Sequence, residues 1–290
     1  MAEGLNPTHQ EFVVNILRRA AQAEILPRFH NLSKSDVSIK KRADDLVTAA
    51  DIAAEHMITR ALHQRFPDAL VMGEEAASAD PTLLDKIADA PLAFIIDPVD
   101  GTWNFAHGFG MFGIILAVTQ YGKPVMGVIY DPLADNWAVA QPDGPAQLIS
   151  ATGAIAPLKT AMGKPIEKLT GHLPLYMFTG DKRRRLAATL PSFYNVTSLR
   201  CSAHEYRMVA QGFSDFVLTE SLWPWDHAAG ALICQQAGAH VEMLDGGAYS
   251  AARHRGYLLV APDRMTWNKL RKVFHFLLDL KDDPHGTNKG

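Results

Sequence analysis

The sequence predicts an α/β fold of layered sheets and helices, and three observations carry that expectation. Helical periodicity alternates with short β-rich runs along the chain, consecutive antiparallel strands occupy its middle, and acidic residues recur where one element hands over to the next.

Taken in order, residues 6–28 read as a helix, with Phe12, Val13, Ile16, Leu17, Ala20 and Ala21 at helical spacing. Residues 51–66 read as a second helix, because Ala54, Met57, Ile58, Ala61 and Leu62 fall on one face and Pro67 stops it. Residues 69–72 form a short strand that delivers Gly73, Glu74 and Glu75. Residues 92–96 form an apolar strand that delivers Asp97. Residues 110–120 and 124–130 read as strands joined by a Tyr-Gly-Lys hairpin, and 136–140 add a third. Residues 142–167, rich in Gly, Pro and Ala, mark a seam between an N-terminal half (about 1–145) and a C-terminal half (about 160–280). Beyond it, 175–178, 216–219 and 257–261 read as strands, with helices at 181–190, 203–211 and 226–237 between them. The polar tail from Asp282 reads as frayed.

Composition narrows the function classes. With 290 residues, 48% of them hydrophobic, the chain can bury one large core or two moderate ones. Its 28 Lys and Arg against 31 Asp and Glu leave a net charge of −3, without the basic excess of a nucleic-acid or membrane-surface binder. No apolar run approaches the ~18–20 residues that span a bilayer, and the first residues lack the features of a secretory signal. The two cysteines, Cys201 and Cys234, imply neither a disulfide framework nor a zinc site, so a reduced cytoplasmic setting is expected.

The acids carry the chemistry. Asp51 opens a helix, Glu74 and Glu75 follow a strand, Asp97 and Asp100 follow another, and Asp226 follows Trp223-Pro224-Trp225. Each alone has a plainer role: Thr48 and Asp51 as helix caps, Asp97-Pro98-Val99-Asp100-Gly101 as turn chemistry, Asp226 as an N-cap worth about 1 kcal/mol. Together they match what a hard divalent cation requires, several oxygens converging from rigid element ends where α/β sheets bind ligands. Gly101 then lets Thr102 begin a segment whose backbone N–H groups point at an anion.

The stretch Asp97-Pro-Val-Asp-Gly-Thr-Trp-Asn-Phe-Ala-His-Gly108 resembles the first signature of the inositol monophosphatase family. Trp225-Asp-His-Ala-Ala-Gly230 is similar to the second, and Asp45-Leu-Val-Thr-Ala-Ala-Asp51 and Gly73-Glu-Glu75 match two further segments in the family's order. The resemblance covers about residues 8 to 265. It implies an αβαβα sandwich of the inositol monophosphatase and fructose-1,6-bisphosphatase type, folded as one domain over residues 1–290. It implies a phosphomonoesterase that binds two or three Mg²⁺ per site. Glu74, Asp97 and the Val99 carbonyl would hold one ion; Asp97, Asp100 and Asp226 a second; Glu74 a weaker third. Asp51 and Thr102 would orient and deprotonate the attacking water, and the Gly101 and Thr102 N–H groups would hold phosphate. Lithium inhibition and a homodimer belong to the same implication.

On the substrate side the chain departs from the family. Arg200-Cys201-Ser202-Ala203 stands where a Gly-Ser/Thr-Ala segment is usual, and Thr219, seven residues before Asp226, stands where inositol-phosphate enzymes carry Glu. A sugar-hydroxyl contact is thus lost or re-registered to Glu220. Ser202, Ala203 and Glu220, beside Asp100, Gly101, Thr102 and Asp226, are the expected substrate contacts. Of the remaining candidates, His107 is expected to satisfy a nearby backbone group, Trp103 to pack over the turn, and His227 to start a helix. Cys234 is expected in the core, 182–185 as a solvated basic helix face, and Asp131 in a turn. The expected substrate is inositol monophosphate or a related sugar or polyol phosphate. The alternatives are fructose-1,6-bisphosphatase or histidinol-phosphate phosphatase chemistry on the same metal set, or a regulatory protein-binding role with secondary catalysis.

Overall fold

The computed structural model describes residues 7–40 and 45–280; the expected helix start at Asn6 and the polar tail from Asp282 lie outside them. The first half runs α1 (Pro7–Ala20), β1 (Val37–Ile39), β2 (Leu46–Thr48), α2 (Ala49–Arg65), β3 (Leu70–Gly73), α3 (Glu74–Ala79), β4 (Ala93–Asp100) and α4 (Thr102–Ala106). Strands β5 (Gly113–Gln120), β6 (Lys123–Asp131), β7 (Asn136–Ala140), β8 (Gln147–Ser150) and β9 (Ile155–Pro157) follow as a meander. The second half runs β10 (Thr170–His172), α5 (Gly180–Thr189), β11 (Asn195–Thr197), α6 (Ser202–Ala210), β12 (Phe216–Thr219), α7 (Pro224–Gln236), β13 (His240–Met243), β14 (Leu258–Ala261), α8 (Arg264–Phe274) and α9 (Phe276–Asp279).

Strands β3 to β9 form one seven-stranded sheet in sequence order, with β3 parallel to β4 and every other pair antiparallel. A five-stranded sheet has the order β11-β10-β12-β14-β13, with β10 parallel to both β11 and β12. Alternation along β4 sorts its side chains between two cores. Phe94 and Ile96 join α1 and α2 on one face, while Ile95 joins α6 and α7 on the other. That second core also takes Val217, Leu258 and Val260 from the five-stranded sheet. The far face of that sheet packs Phe216, Leu218 and Leu259 against Leu186 of α5 and Trp267, Leu270 and Phe274 of α8. The layers are therefore αβαβα, the arrangement the resemblance implies.

Several expectations are revised. The helix at 6–28 ends its regular part at Ala20 and widens into a π-type turn over Ala21–Ile25. Residues 142–167 are not a loose seam, because β8 and β9 extend the first sheet by a hairpin. No strand forms at 175–178. Pro174 has no N–H for a ladder, and Leu175–Met177 instead make a 3₁₀ turn closed by Met177 N–H donating to the Pro174 carbonyl. The basic run is not wholly solvated, since Lys182 is buried.

Candidate metal centre

On a regular strand Asp97 and Asp100 would not pair, because residues three apart point to opposite faces. A bulge resolves it. Asp97 lies opposite Ile115 and Asp100 opposite Gly113, so three steps on β4 span two on β5. The extra residue turns both carboxylates to one side, and the Val99 N–H donates to Asp97 Oδ1 at 3.1 Å. Asp226 reaches the same point from the first turn of α7, whose N-cap is Trp223 rather than Asp226 and whose first helical residue is Pro224. Asp97, Asp100 and Asp226 each bring an oxygen within 4.8 Å of the others.

Asp100 is held by the start of α6: the Ala203 N–H donates to its Oδ2 at 2.6 Å and the Cys201 thiol at 3.0 Å. Ala203 is fully buried, so its N–H acts here as an orienting donor for Asp100. Gly101, at φ +88°, fits because a Cβ there would meet the Met111 carbonyl at 2.7 Å and the Cys201 side chain at 3.2 Å. Glu74 opens α3, whose first N–H groups are bound by buried Glu55: those of Glu75 and Ala76 each donate to it at 2.9 Å. Gly73 is required just before, since a Cβ would lie 2.1 Å from the Glu55 carboxylate. Lys40 Nζ bridges Glu74 and Glu75 at 2.6 Å to each.

Asp51 serves a capping box at the start of α2: its Oδ2 accepts from the Thr48 N–H and hydroxyl while Thr48 caps the helix. Its other oxygen, Oδ1, lies 3.2 Å from Thr102 Oγ1, which also sits 3.0 Å from the Val99 carbonyl. The same aspartate is thus both helix cap and partner of Thr102.

Burial raises the carboxyl pKa values of this group. It pushes Asp51 up to about 7, and it lifts Asp97 well above the usual range, aided by the charges of Glu74, Asp100, Asp226 and Asp51. Asp226 is raised well above its usual range and Asp100 and Glu74 are raised, again with burial first among the causes. Buried acids that repel one another and carry only oxygen donors fit a hard divalent cation.

The sheet ends open onto a cavity of about 390 Å³ whose lining includes Glu74, Thr102 and Asp226 together with Trp103, Tyr176, Arg200, Trp223 and Trp225. A smaller inner pocket of about 110 Å³ is lined by Asp100, Ser202, Thr219 and Ser221 among others. Glu220 lines neither of them. It accepts from Lys182 at 2.7 Å and from the Tyr257 hydroxyl at 3.0 Å. His107 Nδ1 lies 2.7 Å from the Trp103 carbonyl, and His227 is held between the Ser221 carbonyl and the Tyr206 hydroxyl. Cys234 is buried, and Asp131 closes its turn by accepting from the Leu133 and Ala134 N–H groups. Lys40, Tyr176 and Arg200 escaped the sequence reading as site residues. No periodic signal marks Lys40 or Tyr176, whereas Arg200 adjoins the segment already singled out.

A sequence profile described as the inositol monophosphatase family matches residues 8–275. The chain is 30% identical over 243 residues to the Nus factor SuhB of Vibrio cholerae, an alignment covering 81% of this chain and 86% of that one. It is 28% identical over 237 residues to the fructose-1,6-bisphosphatase/inositol-1-monophosphatase of Thermotoga maritima, covering 81% and 85%. Among solved structures, inositol monophosphatase II of Staphylococcus aureus superposes with a TM-score of 0.77 at 21% identity, over 94% of this chain and 98% of that one.

Proposed function

The chain belongs to the inositol monophosphatase family and is a phosphatase of that family, and on that premise we propose that it is a Mg²⁺-dependent hydrolase of a small phosphate monoester. Inositol monophosphate and related sugar or polyol phosphates are the first candidates. The observation that carries the reading is the convergence of Asp97, Asp100 and Asp226 beside the Thr102–Asp51 pair. Glu74, Asp97 and the Val99 carbonyl would hold one ion, and Asp97, Asp100 and Asp226 another. Such ions would supply Lewis acidity toward the phosphoryl oxygens and a lowered pKa for water.

The chain's own groups do the remainder. Thr102 Oγ1 accepts a hydrogen bond from the attacking water and relays its proton toward Asp51 Oδ1, 3.2 Å away. Burial, which raises the Asp51 carboxyl, favours proton uptake there. The Gly101 and Thr102 N–H groups bind the phosphate as water displaces the alcohol in line. No covalent intermediate on the protein is needed. Ser202 and Thr219 border the inner pocket beside Asp100 and Asp226. Glu220, engaged by Lys182 and Tyr257, would act on substrate only through that network. We extend the same reading to a lithium-sensitive, cytoplasmic homodimer.

The experiment is phosphate release from inositol 1-phosphate and glycerol 2-phosphate, with and without Mg²⁺, in the wild type and in Asp100→Asn. A normal rate for Asp100→Asn would defeat the assignment. The kinship with a dual bisphosphatase of Thermotoga maritima makes fructose 1,6-bisphosphate the next substrate to try. The relative called a Nus factor favours a second reading, a regulatory protein partner with secondary catalysis. A pull-down retaining the same partners in wild type and Asp97→Asn would support it.

A further inference from the structure

The lining of the larger cavity carries, beside the acids, aromatic surface suited to a flat ring. Three of the chain's five tryptophans line this cavity: Trp103, Trp223 and Trp225. The other two have packing roles elsewhere. Trp267 is buried and donates its indole N–H to the Leu259 carbonyl, and Trp137 lies under the Arg18 guanidinium.

Trp223 and Trp225 lie parallel, with centroids 5.2 Å apart and 4° between planes, and Trp223 stays 40% exposed. An indole that open covers no core. Facing the cavity beside them, the Arg200 guanidinium sits 4.4 Å from the Trp103 ring and 4.5 Å from the Tyr176 ring. Arg200 adopts φ +53°, an uncommon conformation for a residue with a side chain. Trp103 is braced in turn by His107, stacked at 4.1 Å. The array is thus an exposed indole backed by a second indole, beside a planar cation held between two rings.

Beside the acids and Thr102, the polar residues of the lining are Lys40, Asp45, Ser78, Arg200 and Ser221, of which Lys40 is held by Glu74 and Glu75. Glu220 is held by Lys182 and Tyr257 outside both cavities, and Thr219 borders only the inner pocket. Ala77, Pro81, Leu84 and Met177 fill out the lining with apolar surface. Hydroxyls brought against it would lose water without gaining partners. A ring loses little on desolvation and gains stacking on the exposed indole.

Resting on the hydrolase reading above, we infer that the alcohol half of the ester carries a planar aromatic ring, as in a nucleoside or an imidazole- or indole-bearing alcohol, seated against the exposed Trp223 indole. The phosphate lies at Thr102 and the acids, and the ring lies in the outer cavity, whose 390 Å³ is within the range of small-molecule sites.

The test measures kcat/KM with Mg²⁺ for two ring-bearing esters, adenosine 5′-monophosphate and histidinol phosphate, against inositol 1-phosphate and glycerol 2-phosphate. One ring-bearing ester should exceed both polyol esters at least tenfold. In Trp223→Ala its advantage over glycerol 2-phosphate should shrink by about 5- to 150-fold, the span of one base stacked on one aromatic ring. Trp223→Phe should recover most of it. A readout free of turnover is tryptophan emission of the Mg²⁺-loaded Thr102→Ala protein, which the favoured ring-bearing ester should quench saturably and glycerol 2-phosphate should not. Preference for a polyol ester, or an advantage unmoved by Trp223→Ala, overturns the inference and leaves the hydrolase standing. No release from any ester, with no Mg²⁺-dependent rise in melting temperature, removes the hydrolase and the inference together.

Discussion

Replacing Asp97 by Asn should reverse which protein melts higher, variant or wild type, between metal-free and Mg²⁺-loaded conditions. Asp97 is 2% exposed and has oxygen-bearing acids within 4.8 Å, a distance at which two full charges repel by about 3.5 kcal/mol at an effective dielectric of 20. Partial protonation caps that repulsion, because burial and neighbouring charges already raise the Asp97 carboxyl well above its usual range. About 1 kcal/mol or more should therefore be recovered by a neutral amide. The amide keeps the Val99 N–H contact, since its carbonyl oxygen can take the place of Asp97 Oδ1. With Mg²⁺ at a hundred times its dissociation constant the wild type should gain about 2.7 kcal/mol per site, and the variant far less. At roughly 2–4 °C per kcal/mol, Asp97→Asn should melt at least ~2 °C above wild type in chelator at pH 7.5 and several degrees below it with Mg²⁺. Differential scanning calorimetry reads both. A variant that melts below wild type in chelator, yet gains as much from Mg²⁺, would refute the crowded-carboxylate account.

Thr102→Ala should leave the Mg²⁺-induced rise in melting temperature unchanged while lowering kcat by roughly 100-fold or more, because the hydroxyl acts on water rather than on the ion. Weakened Mg²⁺ binding with normal kcat would instead make it a structural group. Gly230→Ala should destabilise by about 1–3 kcal/mol, seen as a lower urea midpoint, because the new Cβ would lie 2.2 Å from the Tyr206 ring. Acid should expose His172, whose imidazole burial holds down at about 4 against about 6.5 unfolded. The unfolded chain then takes the proton first, so this contribution is intact above pH 6.5 and lost as pH falls toward 4, by up to about 3 kcal/mol. Melting curves for His172→Gln should accordingly fall less steeply than wild type across that window.

The acids of the centre were legible because each closes an element whose periodicity is plain, as Asp97 does after the apolar run of β4. Their shared side was not, because a carboxylate pair three apart needs the bulge opposite Ile115 and Gly113, which only the partner strand reveals. Short strands such as β10 and β11 were missed for a related reason: three residues supply too little alternation, and both lean on parallel neighbours distant in sequence. The strand expected at 175–178 failed on a local fact, Pro174, that outweighed its β-rich composition. Lys182 read as solvated because its neighbours are basic, yet the burial of one residue in a basic run depends on Glu220 across the fold. Cys201 stood out in the sequence only as a departure, and its bond to Asp100 depends on α6 docking against β4.

The acids of the centre come from both ends of the chain, β4 early and α7 late. During synthesis the early acids leave the ribosome well before Asp226 does, so the unfinished chain carries a crowded anionic pocket lacking its last oxygen donor. Tight loading of the proposed ions would then wait until α7 packs across the first sheet. An ion held there would tie the early strands to the late helix, joining the two halves of the chain at one point.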